Sequence, residues 1–197
     1  MRFTDGALSF RQNILLTVIL EFAVAIFAVG QFGFTLEGLQ ATTRYSGRLS
    51  LFIFSFIFLC QDKPDLLKKW LSDRYFLVFA IAHGIHLTQL ITFNLKAGND
   101  LIGYRILGGM LAYSFIFIMP MIQQRYNRGN ITPRFFNTAS FVYAYYIWFI
   151  FFMTYLPRVL GKMPQAGGSY TEYVMLLGWV SLIFGYRLSR LLQLKAK

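Results

Sequence analysis

The sequence predicts an all-α membrane protein: one integral membrane domain, a bundle of six transmembrane helices with both termini in the cytoplasm. Three observations carry this. Of the 197 residues, 56% are hydrophobic and only 14% charged, too little polar surface to cover a soluble core of this size. The apolar residues fall into runs close to the ~20 that a helix needs to cross the hydrocarbon layer. Lysines and arginines collect in the gaps between those runs, unequally on alternate sides.

The expected spans are 14–34, 43–60, 75–95, 101–122, 135–156 and 170–186. The first contains Ala23-Val24-Ala25, which resembles a signal-peptide cleavage site. Its apolar run carries Glu21 and continues through Ile26-Phe27, too long for a signal, so a retained helix is expected. In the second, only the stretch from Leu49 to Cys60 is strongly apolar, and it spans only if the segment from Arg44 to Arg48 forms the first turn and snorkels its charges outward. The segment from Asp62 to Leu71 reads as a short interfacial helix anchored by Trp70 or as a solvated connector. Gly103, Gly108 and Gly109 permit close helix approach in the fourth span, Gly167-Gly168 with Pro164 mark a flexible loop, and the aromatic run from Phe141 to Phe149 reads mainly as packing and lipid contact.

Thirteen lysines and arginines fall on the side of the N-terminal segment, the second-to-third gap, the fourth-to-fifth gap and the tail. Five lie opposite: Arg44, Arg48, Lys96, Arg158 and Lys162. The positive-inside rule then puts both termini in the cytoplasm. The net charge of +11 is spread over these gaps rather than gathered in a patch, so a topology role is read and nucleic acid is not expected as a partner. The lipid bilayer is. The lone Cys60 excludes an intrachain disulfide.

Polar groups at depth are the functional candidates, because an ionisable group inside a bilayer is costly without a partner. His83 and His86 are the only histidines. Counted from Arg74 at the helical rise, they lie ~14 and ~18 Å deep and share one helix face, which Gln89 extends. Glu21, counted from Arg11, lies ~15 Å deep, which predicts a Glu21–His83 contact. Such a contact either orients a ligand imidazole or only fixes helix packing. Arg105, one turn inside its span, reads as snorkelling or as a proton-handling group. Two histidines on one straight helix cannot occupy both faces of one haem, so a bis-histidine site needs a second copy or a partner subunit. No zinc site and no catalytic triad can be assembled from these residues.

Tyr45-Ser46-Gly47-Arg48, Asp73-Arg74, His86-Leu87 and Phe141-Val142-Tyr143 follow one another in an order and spacing that resembles the six-helix ferric-reductase-like transmembrane family. Within it the likeness is closest to bacterial haem b membrane subunits that feed electrons to a periplasmic methionine sulfoxide reductase, and it covers residues 43–156. The resemblance implies a bacterial inner-membrane electron-transfer subunit of an oxidoreductase, haem b as cofactor, His86 as an axial ligand, and a quinone or cytoplasmic flavoprotein as electron donor. The fifth-helix ligand positions fall at Ala139 and at Phe152 to Thr154, where there is no histidine. Met153 is the nearest residue there able to ligate iron. His83, Glu21, Gln89 and Arg105 stand as supporting groups. The expectations from other classes are a haem-free membrane scaffold or assembly factor, acting with a partner protein or as a homodimer, and a proton-coupled transporter.

Overall fold

The computed structural model describes residues 8–98, 103–163 and 167–195, without the side chains of 103–107, 194 and 195. These residues form seven helices and no strand: α1 (Phe10–Phe32), α2 (Leu36–Cys60), α3 (Pro64–Leu71), α4 (Tyr75–Ala97), α5 (Gly103–Asn127), α6 (Pro133–Val159) and α7 (Tyr170–Lys195). α1, α4, α6 and α7 are long and apolar enough to cross a membrane. Four such helices make this an integral membrane protein.

The side-chain distribution on α1 agrees. Its buried face carries Asn13, Thr17, Glu21 and Ala28. Its exposed face carries Leu15, Ile19, Phe22 and Ile26, each at least half exposed. A helix in water would be arranged the other way round, whereas lipid is the natural solvent for that outer stripe.

Local chemistry sets the helix ends. Ser9 and Gln12 form a capping box at the start of α1. Thr35 caps α2 by accepting a bond from the Gly38 amide at 3.1 Å. α2 therefore begins seven residues before the expected span at 43, and its 25 residues reach ~37 Å. Its apolar part is short because the rest is enclosed by protein: Thr42, Thr43, Ser46, Ser50 and Ser55 are all buried. α2 is the central helix, in contact with α1, α3, α4, α6 and α7. Small residues there let backbones approach closely, as membrane packing requires.

Of the two readings of the 62–71 segment the helix is the one formed, and two spans run past their expected ends. The segment after α2 does form a short helix, α3, which buries Leu67 and leaves Trp70 54% exposed. α5 continues to Asn127. α7 continues to Lys195, nine residues beyond the expected end at 186, because Arg187 is buried and bonded to Asp62 at 2.9 Å while Arg190 reaches the same carboxylate at 3.1 Å. A paired arginine can stay helical where an unpaired one would leave the packed region.

Two ends of the bundle follow from the connections. The N-terminal end gathers the start of α1, α3 and the tail of α7, tied by Leu8 N–H to the Lys69 carbonyl (3.2 Å), Asn127 to the Asp73 carbonyl (3.1 Å) and Arg187 to Asp62. The opposite end carries the ends of α1, α4 and α6 and the starts of α2, α5 and α7. The core between them is aromatic. Phe54 packs on Phe58, Phe79 and Phe151 with centroids 5.3–5.7 Å apart, and Phe76 meets Tyr143 edge-on at 5.0 Å.

Candidate functional site

A cavity of about 780 Å³ opens toward the opposite end, walled by α2, α4, α5 and α6 and rimmed by the start of α7. His83 and His86 line it, and Met153 lies on the α6 wall. Three of the residues singled out from sequence thus meet around one space.

The two imidazoles are held differently. His83 is caged: its ring stacks on Phe79 at 5.3 Å, lies 5.2 Å from Tyr113 and meets Phe151 edge-on at 5.9 Å. His86 rests against α2, where Gly47 makes room for it. A Cβ at position 47 would sit 3.0 Å from His86 Cε1 and 3.4 Å from each ring nitrogen. The Thr43 carbonyl approaches the His86 ring. The two ring centroids are 5.2 Å apart, and the Nδ1 atoms of both are buried with no hydrogen-bond partner among the described residues. Each imidazole therefore has unspent bonding capacity inside a largely apolar enclosure.

The rim is cationic. Arg44, Arg48, Arg158 and Lys162 all line the opening. Arg48 is the best neutralised, with a two-pronged bond to Glu172 at 2.9 and 3.1 Å and its guanidinium over Tyr45. Arg158 donates to the Thr154 carbonyl and lies over the Tyr173 ring at 5.5 Å. Among the described residues the four cations face one carboxylate, which leaves this part of the rim positive. Sequence reasoning had read Arg44 and Arg48 as a snorkelling first turn; the available signal was their spacing with Gly47, which puts 44, 47 and 48 on one helix face.

Glu21 is not part of this space, and the expected Glu21–His83 contact is not formed. The carboxylate is buried where α1 packs on α2 and α4, beside Ser46 and Gln89. Among the described residues neither of its oxygens completes a hydrogen bond, and Ser46 Oγ and Gln89 Oε1 are likewise unpaired. Depth was matched but rotation was not: α1 reaches α4 on the side turned away from the cavity. Gln89, three residues from His86, belongs to that second polar group rather than to the cavity wall. Arg105 lies in the first turn of α5 with its side chain outside the described residues, and Pro164 lies outside the described residues altogether.

The residues fit one haem in part. The volume, an imidazole cradled by glycine, a thioether on another wall and a cationic rim suited to carboxylate tails all agree with it. The second histidine is on the wrong wall and caged by aromatic rings. Among the described residues there is no group of three or more histidine, cysteine or acidic side chains that could hold a bare metal ion. No protein family, curated protein or solved structure matches the chain.

Proposed function

We propose that the chain is a six-span inner-membrane subunit of a bacterial oxidoreductase, with both termini cytoplasmic, that holds one haem b in the cavity and passes electrons across the bilayer. The observation that carries this reading is the Gly47–His86 contact. A backbone without a side chain is set against one face of an imidazole that has few bonds of its own and borders a space of about 780 Å³. α2 and α5, each 25 residues long, supply the two further crossings. The uneven distribution of lysine and arginine sets the orientation.

Haem b would supply a one-electron iron couple within the membrane. His86 would ligate from the α4 wall and Met153 from the α6 wall. Arg44, Arg158 and Lys162 would hold the acidic tails at the rim, and Phe151 and Tyr113 would exclude water. His83 would pack against the ring system without ligating. Electrons would come from a quinone or flavoprotein, and a partner protein would receive them.

The test is an absorption spectrum of the detergent-solubilised protein, expressed with haem available, oxidised and then reduced. A Soret band that His86→Ala removes and His83→Ala keeps is expected. No Soret band in a folded preparation overturns haem binding and leaves the haem-free scaffold as the working reading.

A further inference from the structure

A second recess, of about 330 Å³, lies between α4 and α5 at the N-terminal end of the bundle. We propose that it binds one anionic phospholipid, head group against Arg74 and Arg128 and acyl chain along Phe117 and Met121. This does not depend on the haem reading.

The recess is graded along the bundle. Its end carries Arg74, Arg128, Gln124 and Asn127, with Asp73 beside them, and its deeper part is Leu77, Phe117 and Met121. Phe117 and Met121 are 46% and 59% exposed, so the deep part opens on lipid. A phospholipid has the same polarity order over the same distance, whereas a soluble anion has no use for the apolar half.

Charge selects the lipid class. Among the described residues neither Arg74 nor Arg128 forms an ion pair, although Arg187 and Arg190 at the same end share Asp62. Two arginines against Asp73 leave one net positive charge, the complement of a single phosphodiester. A zwitterionic lipid would bring its own cation to the same place. The site is also held in shape. Phe10 supports the Arg74 guanidinium at 5.2 Å, and Asn127 is fixed on the Asp73 carbonyl. Basic recesses between membrane helices are where anionic head groups bind.

Native mass spectrometry of the purified protein with equal amounts of phosphatidylglycerol and phosphatidylcholine of the same chains tests this. The expected result is one retained phosphatidylglycerol. Arg74→Gln with Arg128→Gln should cut the preference about thirtyfold, and Lys96→Gln at the opposite end should leave it unchanged. Should the double variant not fold, Asp73→Asn gives the opposite reading and should raise the preference. Equal retention of both lipids, a preference indifferent to these changes, or displacement by millimolar inorganic phosphate would each overturn the proposal.

Discussion

Gly47→Ala is the sharpest probe of the cavity. The added methyl would stand 3.0 Å from His86 Cε1, well inside the ~3.5–4.0 Å at which carbon atoms attract. Ring or helix must retreat by about half an ångström or more. Overpacking of this kind costs ~1–3 kcal/mol, while replacing glycine inside a helix returns ~1 kcal/mol. Folding stability should therefore fall by no more than about 2 kcal/mol. The displaced imidazole, however, should weaken haem binding by about 5- to 150-fold, the affinity equivalent of the full overpacking cost. Haemin titration followed at the Soret band measures the affinity, and tryptophan fluorescence on heating measures the fold. Gly178→Ala is the control: nothing lies within 4 Å of a Cβ there, so only the stabilising helix effect should appear. Haem affinity unchanged in Gly47→Ala would refute the assignment of His86 as the ligand held by this contact.

Other outcomes follow from the same structure. Glu21→Gln removes a buried carboxylate that completes no hydrogen bond, so thermal stability should hold or rise and any Soret band should keep its position; a shifted band would restore the link to the histidines. Asp62→Ala strips both Arg187 and Arg190 of their partner. With Asp62 one-quarter exposed, it should cost about 2 kcal/mol, less than the 3–5 of a fully buried pair, and free the end of α7 to trypsin; unchanged proteolysis would show that the latch is not holding. Glu172→Gln weakens a bond to Arg48 whose carboxylate is one-third exposed. It should cost about 1 kcal/mol after screening and lower the melting temperature by a few degrees, with the loss diminishing in high salt.

Apolar run length made the membrane class legible, and four of the helices were evident from composition alone. The true start of α2 was obscured because its polar residues are buried by neighbouring helices, a tertiary fact that no window of hydropathy contains. Thr35, a capping residue ahead of Leu36, was the local signal that it begins early. His83 and His86 stood out in the sequence because ligand-capable side chains are rare at depth, whereas Met153 came only from the family resemblance. The misplaced pairing of Glu21 has a physical reason. Rise per residue fixes depth along a helix, but a helix turns about 100° with each residue, and only its neighbours decide which face meets what. The outward stripe of Leu15, Ile19, Phe22 and Ile26 shows that Glu21 faces protein, yet it cannot say whether α2, α4 or the cavity receives it. The rim arginines were missed because charge near a helix end has a sufficient explanation in topology.

Helix α7 is stitched to α2 and to the turn after it, by Arg48 with Glu172, Ser55 with Trp179, and Asp62 with Arg187, partners 124, 124 and 125 residues apart in the chain. A ribosome adding about 5–20 residues per second needs about 6 to 25 s to cover that interval. During that time α2 waits with Arg48, and the turn just beyond it with Asp62, unmatched. Its nascent form must be sheltered by the insertion machinery or held at the head groups, and a message truncated before the last helix would deliver a chain whose central member never acquires its seam.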